Sequence, residues 1–208
     1  CASRQLASAH VDLVGLANAY AAYSVHGSAD PDLAYATRLR MDHFRGVPSS
    51  LPMAGQAVLS GLRIDREASG VEMLPGDTSA ASVWLKIRCS WKGAPMQFHT
   101  LRFGHLEVEQ VAFVAQRLRE VRGDEPLVLV ASVVQGGRPS DDRKVLAELV
   151  NGTGLREAWG LEVLAPAEYR DFVFFRGLEL VGKLVLDDAS CSDRMLTVAS
   201  FHASQDHS

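Results

Sequence analysis

The stretch SVWLKIRCSWKGAPMQFHTL, Ser82 to Leu101, decides how the rest of the chain is read. Val83, Leu85, Ile87 and Cys89 alternate with Trp84, Lys86 and Arg88, the period of a half-buried strand over Ser82–Cys89. Trp91-Lys92-Gly93-Ala94-Pro95 predicts a turn that sends the chain back through Met96–Leu101, so the unit is an antiparallel hairpin. Directly after it, Val108, Val111, Ala112, Ala115 and Leu118 fall three or four apart, which predicts a helix over Leu106–Arg122 stopped by Gly123.

Working outward, Pro126–Gln135 is an apolar run of strand length, and Pro139-Ser140-Asp141-Asp142 opens a helix through Leu149. Phe172–Phe175, Leu178–Leu186 and Met195–Phe201 read as closing strands. Toward the N-terminus, Ser3–Ala9 reads as the end of a helix and Val11–Leu16 as a buried strand. Asp30-Pro31 opens a helix to about Met41, and Gln56–Ile64 and Val71–Leu74 are strand-like. Hairpins mixed with separate helices predict two sheets packed face to face with helices outside.

The chain has 208 residues, 47% of them hydrophobic and 22% charged, which fits one domain spanning 1–208 with a substantial core. A net charge of -4 supplies no global basic field, so strong non-specific nucleic-acid binding is not expected. Cys1, Cys89 and Cys191 form neither a disulfide framework nor a metal spacing and read as ordinary thiols. No apolar run is long enough for a transmembrane segment and no signal-peptide pattern is present. The compartment stays open between a soluble cytoplasmic protein and one with a processed or lipid-anchored Cys1.

Several segments, in order, resemble the endonuclease/exonuclease/phosphatase superfamily, the deoxyribonuclease-like group of Mg²⁺-dependent phosphoesterases. HVDLVGL (His10–Leu16) resembles the family's D-V-V-G-L-Q-E, and GQAVLSGLRI (Gly55–Ile64) its G-N-A-I-L-S-R-x-P-I. FHTL sits where the family has N-T-H-L, and PLVLVASVVQGGRP where it has P-V-I-L-A-G-D-F-N-x-x-P. GLREAW resembles G-L-x-D-A-W, and the segment from Arg170 to Phe201 resembles I-D-Y-I-F-V, a strand, then S-D-H-x-P-V-x-A-x-F. The resemblance implies an α/β protein, a four-layer α-β-β-α sandwich of two mainly antiparallel sheets. The family's first strand, with its Asn, has no counterpart in the sequence.

The resemblance also implies where the family's chemistry would stand, and the residues there are changed. Phosphoester hydrolysis in the family needs a divalent cation on oxygen ligands and a polarised water. The Glu of Q-E falls on Asn18, and the His of T-H-L on Leu101, with His99 two residues earlier on the same face. The Asp and Asn of G-D-x-N fall on Ser132 and Val134, and the final His on Arg194. Asp171 and Asp193 keep their acids. The expectation is therefore a catalytically degenerate domain, a pseudoenzyme with a binding or regulatory role, holding no metal and needing no cofactor. Arg194 is the anion-binding candidate for a phosphate-bearing ligand in the cleft. The alternatives are a remodelled metal-dependent phosphodiesterase or nuclease using Asp171, Asp193, His99 and Asn18 with Mg²⁺, and a truncated product of a decaying gene.

Other residues carry plainer readings. Ser132 lacks a sequence-local base and reads as a small residue in a strand. Glu107 and Glu109 with His105 read as ordinary first-turn acids rather than a metal cluster. Gly136-Gly137-Arg138 is balanced between an anion cradle and a tight loop, and the glycosylation pattern Asn151–Thr153 means little without a secretory signal.

Overall fold

The computed structural model describes residues 11–17, 36–46, 56–76, 82–121, 125–135, 139–160, 171–186 and 196–203. The strands are β1 (Leu13–Ala17), β2 (Asp42–Gly46), β3 (Gln56–Ser60), β4 (Arg63–Met73), β5 (Val83–Trp91) and β6 (Ala94–His105). Helix α1 (Val108–Glu120), β7 (Leu127–Gln135), helix α2 (Pro139–Val150), β8 (Arg156–Glu157), β9 (Asp171–Arg176), β10 (Leu178–Leu186) and β11 (Leu196–Ala203) follow.

The hairpin forms as its alternation requires, with Leu85 opposite Thr100 and Ile87 opposite Phe98. Its turn is tighter than expected. Only Lys92 and Gly93 lie outside the strands, with φ of 51° and 84°, the left-handed pair whose twist matches that of the flanking strands. The main sheet has the order β4-β5-β6-β7-β9-β8, with only the β6–β7 pairing parallel among its adjacent strands. A second sheet, β1-β3-β2, is antiparallel, and β10 pairs with β11.

Strand β7 is apolar on both faces because both are covered. Leu127, Leu129, Ala131 and Val133 join Val111, Val114, Leu118, Leu146 and Leu149 beneath the two helices. Val128 and Val130 join Val58, Leu85, Ile87, Phe98, Val173 and Phe175 between the sheets. On the far side of the small sheet, Ala36 and Leu39, from a helical turn, pack on Val14 and Leu59. Helix, sheet, sheet and helix thus stack as the resemblance implies.

Boundaries differ where side chains intervene. Gln56–Ile64, expected as one strand, is divided at Gly61-Leu62. There the Ser60 hydroxyl donates to Leu62 O at 2.7 Å and accepts from Leu62 N at 3.0 Å, closing a local turn. The expected gap before Val71 instead lies inside β4, as a bulge between Asp65 and Gly70. β2 and β8 were not expected; one reads D-H-F-R-G and the other is only two residues long. Helix α1 is shorter than expected, ending at Glu120. Buried Arg176 reaches across from β9 to donate to Leu118 O at 3.2 Å, Val121 O at 3.4 Å and Thr153 O at 3.0 Å, a cap made by tertiary contact. Ser3–Ala9 and Gly123 lie outside the described residues.

Candidate functional site

The inter-sheet face of β7 carries Val128, Val130 and then Ser132, so the strand changes from packing to polar chemistry toward its C-terminal end. The register places Arg102 of β6, Ser132 of β7 and Asp171 of β9 side by side in one row. Ser132 is 2% exposed, and its hydroxyl donates a short hydrogen bond to Asp171 Oδ1. Two positions that match the G-D-x-N and I-D-Y motifs are therefore bound to one another. No base was legible beside Ser132 in the sequence, because Asp171 lies 39 residues away and only strand pairing brings it in. The contact orients the serine as a donor, and burial closes it to a substrate.

One strand over, the side chains of β6 divide between the two faces of the main sheet. Leu101 and His99 point away from the inter-sheet space, because that face of β6 packs beneath the helices. Leu101 is 1% exposed among Trp84, Phe103 and Val111. His99 is 2% exposed with its ring edge-on to Trp84 at 5.5 Å between centroids. The residue facing the second sheet is Thr100. Its hydroxyl donates a short hydrogen bond to Gln56 Oε1, while Gln56 Nε2 donates to Val83 O at 2.5 Å. Gln56 is fully buried, so this chain of bonds ties β3 to β5 and β6. The sheets close here because Gly15 lacks a side chain: a Cβ at that position would stand 2.8 Å from Thr100 Cγ2.

Burial, with the positive charges of Lys86 and Arg176 adding to it, holds His99 down to a pKa of about 3. Such an imidazole is neutral at physiological pH and is on the wrong face to serve the Ser132 row. Cys89 is buried, with its thiol raised to about 11 by desolvation and 3.6 Å from Met96 O, as an ordinary core thiol.

Asn18, Asp193, Arg194 and Gly136–Arg138 lie outside the described residues, as does the side chain of Val134, whose backbone extends β7. Among the described residues no group of three or more His, Cys, Asp and Glu side chains comes together, and Glu107, Glu109 and His105 form none. Among the described residues of the motif row Asp171 is the one carboxylate, whereas Mg²⁺ takes several oxygen ligands. Among the described residues no helix is long and apolar enough to cross a membrane.

No family model matches the chain, and no curated protein matches it in sequence. Solved structures do match. An endonuclease/exonuclease/phosphatase family protein from Leptotrichia buccalis superposes with a TM-score of 0.71 at 11% identity, covering 97% of this chain and 91% of that one. The chain has the endonuclease/exonuclease/phosphatase fold. The human Nocturnin catalytic domain with bound sulfate anion matches with a TM-score of 0.66 at 14% identity, over 96% of this chain and 84% of that chain. A mannosyl-6-phosphatase of Bacteroides thetaiotaomicron matches with 0.67 at 16%, over 94% and 84%. Within this fold the Ser132–Asp171 row and the Thr100–Gln56 bridge occupy the space between the two sheets.

Proposed function

We propose that this is a phosphoesterase-fold domain whose metal-holding and catalytic positions have been replaced, and that it acts by binding rather than by hydrolysis. The observation that supports this best is the bond from Ser132 to Asp171. Ser132 stands where the family's G-D-x-N motif has its Asp, and its hydroxyl is turned onto Asp171, so the row carries one carboxylate where the family's motifs would give two. Thr100, facing the same space, is likewise engaged by Gln56. Asn18 in place of the family's Glu and Arg194 in place of its final His remove charge for a metal and add charge for an anion. A phosphate-bearing ligand held near Arg194 is in keeping with the sulfate present in the Nocturnin structure.

The test is incubation of purified protein with DNA, RNA, phospholipid and inositol phosphate in the presence of Mg²⁺ or Mn²⁺. Background rates are expected for all four. Metal-dependent turnover that disappears in Asp193→Ala and Asp171→Ala would instead establish a remodelled enzyme. For the anion, sulfate titration is expected to shift the Arg194 signals, and their indifference to millimolar sulfate overturns that assignment.

A further inference from the structure

Asn151-Gly152-Thr153 stands outside the Ser132 row, at the far end of helix α2. Asn151 carries the last turn one residue past the helix, its N–H donating to Ala147 O at 3.1 Å. Gly152 then takes a φ of 70°, the left-handed conformation that ends many helices and that a residue with a Cβ adopts only at a cost. Asn151 and Gly152 are both exposed, whereas Thr153 is 5% exposed and its hydroxyl donates to Leu149 O. The threonine of the glycosylation pattern is therefore used by the fold, and what the surface presents is an Asn-Gly pair.

Such a pair carries a reaction of its own. Asparagine is chemically labile, because its side-chain amide lies one ring closure away from the backbone nitrogen of the next residue, and a glycine there puts no Cβ in the way. In this turn both reacting groups are available. Among the described residues no carbonyl accepts from the Gly152 N–H, and the side-chain amide of Asn151 is equally unengaged. The contacts fall on the carbonyls instead: Arg119 of α1 donates from Nη2 to Asn151 O at 3.2 Å and from Nε to Gly152 O at 3.3 Å.

We propose that Asn151 is a modification site, at which the folded protein converts itself, without an enzyme, to an aspartate or isoaspartate form. Gly152 N gives up its proton to base and attacks Asn151 Cγ. The new C–N bond closes a five-membered succinimide, and the side-chain nitrogen leaves as ammonia. Water then opens the ring at one carbonyl or the other, giving aspartate or isoaspartate, and nothing is oxidised or reduced. Either product changes the net charge from -4 to -5 and adds a carboxylate to the turn that Arg119 holds. In the isoaspartate form the main chain is also one carbon longer, so the two carbonyls gripped by Arg119 lose their spacing and the tie between α1 and the end of α2 is altered.

The experiment is peptide mapping of the intact, folded protein after storage at neutral and at mildly alkaline pH, with an unstored sample to subtract conversion during digestion. Trypsin, cutting after Lys144 and Arg156, releases Val145–Arg156 with Asn151 inside it. That peptide should give way to two products of equal mass, each heavier by the difference between an amide and an acid, and faster at the higher pH. Asn18, the other asparagine of the chain, precedes Ala19 and is the internal control. Conversion at Asn151 should be about tenfold faster, the cost of forcing a residue with a Cβ into an unfavourable backbone conformation. Gly152→Ala should remove that advantage. Because it also strains a backbone with a φ of 70°, Asn151→Gln is the second variant: it keeps Gly152, needs a six-membered ring that closes far more slowly, and should show no acidic form on isoelectric focusing. The proposal is overturned if Asn151 in the folded protein converts no faster than Asn18, if conversion appears only after unfolding in urea, or if Asn151→Gln gains the same acidic form as wild type. Because mass and charge are measured rather than turnover, this outcome is independent of the proposed loss of hydrolysis.

Discussion

Acidification from pH 6.5 to about pH 5 should strip stability from this fold through His99. In an unfolded chain the imidazole titrates at its ordinary value of 6.5, while in the folded protein its pKa is held down to about 3 by burial, Lys86 and Arg176. Above 6.5 the ring is neutral in both states and contributes no pH dependence. Between 6.5 and about 3 the unfolded chain takes up a proton that the folded chain refuses, so stability falls as the pH falls. The slope approaches about 1.4 kcal/mol per pH unit, or roughly 2 kcal/mol by pH 5. Acidic residues add their own slopes, so the test is differential: urea unfolding of wild type and His99→Gln across this range. The variant should lack the His99 component, and its stability should converge on or overtake that of wild type as the pH drops. Parallel curves for the two proteins would refute the reasoning, because the ring would then be protonated alike in both states.

Two further predictions concern the space between the sheets. Ser132→Asp sets a second carboxylate against Asp171 in a buried row, so the melting temperature in a calorimetric scan should fall by several degrees, about 1 to 3 kcal/mol. Millimolar Mg²⁺ should restore neither stability nor activity, since Asn18 still replaces the Glu. Gly15→Ala pushes a methyl group to 2.8 Å from Thr100 Cγ2 and should cost about 1 to 3 kcal/mol in urea unfolding. Adding Thr100→Ser removes that methyl and keeps the hydroxyl on Gln56, so the double variant should recover part of the loss. Additive losses would show that the clash is elsewhere.

Much of the architecture was legible because it rests on short periods. The alternation of Val83 to Cys89 and the spacing of Val108 to Leu118 depend only on strand and helix geometry, and both elements formed. The strands β2 and β8 were not legible, since D-H-F-R-G and R-E have no pattern of their own and exist because a neighbouring strand pairs with them. The end of α1 is similar: its carbonyls are satisfied by Arg176, 58 residues from Leu118.

For the candidate site, the sequence by itself determined which chemical groups are present: a serine and valine in the G-D-x-N segment, an acid at Asp171, and an asparagine and an arginine in place of Glu and His. Composition along a strand is local information. Only the tertiary structure decided which groups meet and which face they serve. It joined Ser132 to Asp171, turned Leu101 and His99 toward the helices, and set Thr100 against Gln56. The reason is that strand register and sheet packing are set by long-range burial, and a shift of one residue along a strand moves a side chain to the opposite face of the sheet.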